Sequence, residues 1–163
     1  MKVITIRQPW ASLIACGAKI YETRSWPTRY RGPIAIHAGV TNNDPLIVKW
    51  LCGKQYVTEQ QQKIMLSDSD ELPHGAIIAT AELVDVWRIR ESGTGVCAEK
   101  LAEDNHSILS GHIIFPDLKE QDLGDWTDGR YAWELRNVKI LPEPVKIKGR
   151  LGLWNWEPGA QKI

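Results

Sequence analysis

The sequence predicts an α+β domain, a small mixed β-barrel of about six strands with helices crossing it. Three observations predict this. Short apolar stretches with period-two alternation recur along the chain, helical stretches fall between them without a regular βαβ rhythm, and no glycine-rich phosphate loop follows any strand. The 163 residues suffice for one domain with a sizeable core, and 43% hydrophobic against 25% charged residues is the balance of a globular protein. We expect a single domain over residues 1–163 with a variable acidic insertion at about 88–128.

The elements follow in order. Val3-Ile4-Thr5-Ile6 reads as a first strand. Pro9 stands at a helix start, where a missing N–H costs nothing. Trp10 to Cys16 is apolar nearly all round, so it reads as a buried helix closed by Gly17. Tyr21 to Trp26 alternates as a strand ended by Pro27, and Pro33 to Ala38 is another strand after the basic turn Arg29-Tyr30-Arg31-Gly32. Residues 42–66 read as two helices, about Asp44 to Cys52 and about Val57 to Leu66, and Ser67 to Gly75 reads as an acidic loop. Ala76 to Trp87 gives the strongest strand signal. Residues 88–128 are mixed and acidic, with one helix expected near Cys97 to Asp104. Tyr131 to Leu141 and Val145 to Trp154 return to strand.

Composition narrows the function classes. No apolar run approaches the ~20 residues of a membrane helix, and the N-terminal stretch lacks the apolar core and cleavage site of a signal peptide. Cys16, Cys52 and Cys97 are odd in number and widely spaced, which gives neither a disulfide framework nor a metal pair and points to the reducing cytoplasm. No His/Cys/Asp/Glu grouping has zinc spacing, so neither metal nor cofactor is expected. The formal charge is zero but unevenly spread: residues 1–40 carry six Lys/Arg against one Asp/Glu, residues 41–128 seven against sixteen, and residues 129–163 seven against three. Basic ends that meet in one barrel make a phosphate-binding face on a neutral protein. A solvated acidic insertion with ordinary surface cations fits equally well. Eight tryptophans against one phenylalanine supply core and stacking platforms alike.

The densest chemistry lies between Gln8 and His37. In Gly17-x-Lys19-x-x-Glu22-x-Arg24, a strand over Tyr21 to Trp26 puts Glu22, Arg24 and Trp26 on one face. Lys19 sits at the turn before it. Arg24 and Arg31 can fork onto phosphates or a base edge, with Arg29 beside them. Glu22 can accept from exocyclic amines, and Trp10, Trp26 or Tyr30 can stack on a base. Lys19 is the natural nucleophile or proton shuttle, because burial lowers a lysine pKa readily. An ion pair of Glu22 with Arg24 or Lys19, tying strand to turn, is the structural alternative. His37 lies in an apolar strand, as a packed side chain or a cleft wall. Lys146, Lys148 and Arg150 alternate as a basic stripe or a solvated face.

The Gly-x-Lys-x-x-Glu-x-Arg signature resembles that of ASCH (activating signal cointegrator homology) domains. Gln8-Pro9-Trp10-Ala11-Ser12-Leu13, Arg31-Gly32-Pro33-Ile34-Ala35-Ile36-His37-Ala38, Tyr131-Ala132-Trp133-Glu134-Leu135 and Lys148-Gly149-Arg150-Leu151-Gly152-Leu153-Trp154 are similar to the family too. The resemblance spans nearly the whole chain and is weakest at about 88–128. It implies a PUA-like β-barrel with helices covering its openings and a cleft that binds RNA or DNA. Some small bacterial members remove the acetyl group from N4-acetylcytidine with a lysine, a threonine three residues later and a distant glutamate. Lys19 matches that lysine, Glu22 stands where they have threonine, and Glu82 is the candidate distant acid. Another branch acts as a metal-independent ribonuclease.

Three functions follow as expectations. The first is a module for RNA or single-stranded DNA, with one base, modified or not, near Lys19, Glu22 and Trp26 and a rim of Arg24, Arg29, Arg31 and Lys148. The second is a hydrolase on a modified nucleoside or RNA, with Lys19, Glu22 and Glu82 as its catalytic set. The third is a protein–protein adaptor that presents the acidic insertion.

Overall fold

A computed structural model of the protein describes residues 1–40, 47, 56–66 and 72–159. The described elements are strands β1 (Lys2–Ile6), β2 (Tyr21–Arg24), β3 (Gly32–Ala38), β4 (Ala76–Ser92), β5 (Gly95–Leu101), β6 (Ile108–Ile114), β7 (Tyr131–Lys146) and β8 (Leu153–Asn155), with helices α1 (Trp10–Ala15), α2 (Glu59–Leu66) and α3 (Leu118–Asp122). The strands form a mixed sheet that is not closed, an α+β arrangement of the PUA-like kind. Apart from residue 47, the helix expected at about Asp44 to Cys52 lies outside the described residues.

The chain divides into two compact units, and β4 and β7 give residues to both. Unit 1 comprises Met1–Ala18, Pro33–Glu82 and Asn137–Ile163, and its strands neighbour each other in the order β4-β3-β1-β8. β1 pairs parallel with β3, from Lys2 opposite Ile34 to Ile6 opposite Ala38, and antiparallel with β8. These strands alternate, so their inward side chains form a core of Val3, Ala35, Ile77 and Trp154, flanked by Leu141, Val145 and Ile147. Helix α1 buries Ala11, Ser12, Leu13 and Ile14. Pro9 supplies no side-chain cap, and Gln8 takes that role. Its Oε1 accepts from Ser12 N at 3.1 Å, while its Nε2 donates to Ser12 Oγ at 2.8 Å and to Pro73 O at 2.7 Å. Gly17 closes the helix at φ +75°, with Gly17 N donating to Ile14 O and Ala18 N to Leu13 O.

Unit 2 comprises Lys19–Gly32 and Leu83–Arg136, with strands in the order β2-β7-β4-β5-β6. β2 lies antiparallel to the start of β7, with Tyr21 opposite Glu134 and Glu22 opposite Trp133. β4 and β5 form a hairpin from Trp87 opposite Lys100 to Ser92 opposite Gly95, turned through Gly93-Thr94. Helix α3 begins at Asp117, whose carboxylate accepts from Glu120 N at 2.7 Å. The core here is Trp87, Ile89, Ala98, Trp126 and Ala132.

Three expectations need correction. Residues 97–101 are strand, not the start of a helix: β5 is held by its ladder to β4, and this long-range pairing overrides the helical preference of Ala98-Glu99-Lys100-Leu101. Strand does not run from Val145 to Trp154. β7 continues through Pro142 and Pro144 to Lys146, residues 147–152 are irregular, and only Leu153–Asn155 pairs again. Lys148 and Arg150 therefore do not share a strand face with Lys146. Finally β2 ends at Arg24, so Trp26 lies beyond the strand rather than on its face.

The Ile89 side chain is fully buried in the unit 2 core. Ile89→Ala should destabilise the protein by about 2–5 kcal/mol through lost transfer energy and a residual cavity. The urea midpoint checks this, with an unchanged slope showing that the native state keeps its compactness.

Candidate nucleic-acid interface

Three of the signature residues, Lys19, Glu22 and Arg24, come together within unit 2. Gly17 ends α1, Lys19 follows, and β2 carries Glu22 and Arg24. Lys19 is only 1% exposed and its Nζ has no hydrogen-bond partner; the Oε2 of Glu120 stands 3.8 Å away. Burial pulls the Lys19 pKa below its ordinary value, and Glu22 and Glu120 pull the other way. Glu22 is 8% exposed and pairs with Arg24, whose Nε lies 3.0 Å from its Oε1. Burial pushes the Glu22 carboxyl up, against the opposing charges of Arg24, Lys19 and Arg130. Of the ion pairs offered above as alternatives to ligand binding, the one between Glu22 and Arg24 is realised, while the carboxylate paired with Lys19 is Glu120.

Glu120 organises this cluster and was not legible in the sequence. It accepts from Ile20 N at 2.6 Å and Tyr21 N at 3.4 Å, fastening α3 to the start of β2. The Asp-x-x-Glu spacing of Asp117 and Glu120 signals a helix start, but nothing in the chain announces a partner 100 residues away. Over the cluster lies Gly124. A Cβ there would meet Trp126 Nε1 at 2.9 Å, Lys19 Nζ at 3.1 Å and Thr23 Cγ2 at 3.2 Å, so only glycine fits without displacement. Trp126 Nε1 donates to Glu120 O at 2.6 Å, and Asp125 N donates to Thr23 Oγ1 at 3.0 Å.

The rim is more open. Trp26 is partly exposed and edge-on to buried Trp133, with ring centres 4.7 Å apart, and Trp133 Nε1 donates to Trp26 O. Arg24 is partly exposed and Arg29 exposed, the latter reaching Asp104 O at 3.4 Å. Arg31 is spent on its own turn, donating to Thr28 O at 2.8 Å and Tyr30 O at 2.9 Å with Asp85 3.7 Å away. Tyr30 is partly buried above the same turn.

The other expected residues belong to unit 1. Trp10 is partly buried at the start of α1, His37 is buried on β3, and Lys148 is exposed in the irregular stretch after β7. Glu82 is exposed and accepts from Asn137 Nδ2 at 3.1 Å; the carboxylate beside Lys19 is Glu120. A cleft of about 550 Å³ opens in unit 1 among Ser12, Met65, Ile78, Leu141 and Lys146; Lys146 of the expected basic stripe lines it, and Lys19, Glu22, Arg24 and Trp26 do not. Among the described residues no helix is long and apolar enough to cross a membrane.

A mixed, strand-rich fold with the Gly-x-Lys-x-x-Glu-x-Arg cluster at a helix-to-strand turn defines the class, and the chain belongs to the ASCH domain family, whose pattern it matches over residues 4–142. It is similar to Activating signal cointegrator 1 of Homo sapiens and of Mus musculus, 24% identical to each over 169 aligned positions. That similarity takes in 98% of this chain but only 23% of either relative, so the chain spans about a quarter of their length. Membership carries an expectation of nucleic-acid or protein partners.

The buried Glu22 gives a pH prediction. Its folded pKa is raised, so the folded state holds the proton more tightly than the unfolded chain. Stability from this group is complete below the unfolded value of about 4.5 and is lost as pH rises through the higher folded value. Glu22→Gln removes the titration. Urea midpoints taken from about pH 4 to pH 8 should fall less for the variant than for the wild type across that window.

Proposed function

We propose that this ASCH domain, taken as one domain over residues 1–163, is a nucleic-acid-binding module for RNA or single-stranded DNA. The observation that carries this reading is the pairing of a charged cluster with an open aromatic. Glu22 fixes the Arg24 guanidinium at 3.0 Å, and Trp26, locked edge-on by Trp133, keeps part of its ring open beyond the same strand. A guanidinium held by a buried carboxylate has lost its rotamer freedom before any ligand arrives, which favours phosphate binding. A partly open indole gives a base a stacking surface. Arg24, Trp26 and Arg29 are then the contacting residues, and Lys19 and Glu22 support them from beneath. In this reading Arg31 shapes the turn rather than touching phosphate.

The test is anisotropy of a labelled single strand across a salt series. Affinity should fall steeply with salt, because each neutralised phosphate releases counterions. Arg24→Ala and Arg29→Ala should each lower the log–log slope by about 1, and Trp26→Ala should weaken binding with the slope kept. A flat salt dependence would sink the proposal.

A second reading, hydrolysis of a modified nucleoside or RNA, draws on one observation: the Lys19 pKa is lowered by burial, as an activated lysine requires. In that case Lys19 is the base and Glu120 its neighbouring carboxylate. Incubation with N4-acetylcytidine and with RNA should leave both intact if the module reading holds; turnover that Lys19→Ala abolishes would favour the enzyme. The adaptor reading draws on exposed Leu109, Ile113, Phe115 and Leu118 along and just after β6.

A further inference from the structure

His37 is 1% exposed on β3, yet its Nδ1 has no hydrogen-bond partner. Its Nε2 lies 2.9 Å from Ile147 O. A carbonyl only accepts, so Nε2 carries the proton and Nδ1 is a bare lone pair. Gly149 faces it closely: a Cβ there would stand 2.5 Å from His37 Cε1, 2.9 Å from Nδ1 and 3.1 Å from Thr5 Oγ1. Two more bonds hold the same stretch. Ile147 N donates to Gly75 O at 3.0 Å, and Thr5 Oγ1 donates to Arg150 O at 3.0 Å while accepting from Trp154 Nε1 at 3.2 Å. Residues 147–152 are therefore clasped at three points, and their outward side chains are Lys148, Arg150 and the fully exposed Leu151.

We propose that residues 147–152 form a preformed loop for nucleic-acid phosphates and that His37, which touches no ligand, is the positioning residue that releases the loop on acidification. The proposal rests on the nucleic-acid reading above. Two cations held on a clasped backbone bind phosphate without first being ordered.

The acid sensitivity follows from the surroundings of the ring. The neutral imidazole needs one acceptor and has it. A second proton on Nδ1 would create a buried donor facing the Gly149 backbone with no acceptor, which is costly to leave unmade. Thr5 from β1, Gly149 from the loop and Trp154 from β8 face the ring, Trp154 edge-on at 5.8 Å, and none of them ionises. The charged groups of the loop, Lys148 and Arg150, are both cations, and Arg150 lies 5.8 Å over the Trp154 ring. Burial holds the His37 pKa below its ordinary value of 6.5, with the Ile147 carbonyl opposing. For a depressed pKa the clasp is at full strength above about 6.5 and is lost as pH falls through the lower folded value. The sign is unusual, because acid normally tightens anion binding by adding positive charge.

The experiment compares wild type, His37→Gln and His37→Ala with a labelled oligouridylate at fixed low salt, at about pH 7.5 and about pH 5. Amide exchange of Ile147, whose N–H donates to Gly75 O within the clasp, is followed in the same samples. Gln can donate to Ile147 O but does not titrate. The expected result is wild-type binding that weakens severalfold at the lower pH with faster loop exchange, a His37→Gln variant that binds at both pH values with little change, and a His37→Ala variant with fast loop exchange throughout. Wild-type affinity that is level or tighter in acid would overturn the proposal, as would a His37→Gln variant that keeps the acid weakening. Absence of binding by wild type at about pH 7.5 would refute the nucleic-acid reading and the phosphate role with it, and the exchange data would still decide whether His37 clasps the loop.

Discussion

An ammonium group removed from water costs several kcal/mol unless opposite charges stand close by, and Lys19 is such a group, 1% exposed and without a hydrogen bond. Its position constrains much of unit 2. Glu120 must lie near it, which requires α3 to start at Asp117 and to rest on the Ile20 and Tyr21 amides. Position 124 must be glycine, because a side chain there would strike Lys19 and Trp126. Glu22 adds a second carboxylate whose own burial raises its pKa, and Arg24 steadies it. Removing any member leaves a buried charge with less compensation, so these residues form one unit rather than a set of independent contacts.

How much of this was legible depends on the range of the interactions. The strands β1 to β4 and helix α1 were readable because period-two and near-continuous apolar patterns are local, and so is the cap at Gly17. Residues 97–101 were not. Ala98-Glu99-Lys100-Leu101 has helical propensity, and what makes it a strand is the turn at Gly93-Thr94 and the ladder to Trp87–Ser92, which a local pattern cannot report. The signature itself was readable as a set, since Lys19, Glu22 and Arg24 fall within six positions. Its enclosure by Glu120, Gly124 and Trp126 was not, because those residues come from a stretch that reads as a featureless acidic insertion. His37 shows the same limit: the sequence marked it as polar in an apolar strand, and only the fold supplies Ile147 and Gly149 as the reason.

The geometry also separates the binding and catalytic readings by what has to move. Arg24 and Trp26 are partly exposed and Arg29 is exposed, so the proposed rim contacts do not require the cover over Lys19 to open. A substrate for Lys19 would first have to displace the Gly124–Trp126 cover, which is pinned by Asp125 N on Thr23 Oγ1 and by Trp126 Nε1 on Glu120 O. The hydroxyl that chemistry of the amidohydrolase kind calls for is equally committed. Position 22 holds a carboxylate, and the nearby Thr23 hydroxyl already serves as the acceptor for Asp125 N. Two hydrogen bonds and a buried indole oppose the opening of that cover, whereas rim binding spends nothing on it. That difference is why the partly exposed guanidinium and indole, rather than the buried lysine, carry the proposed reading.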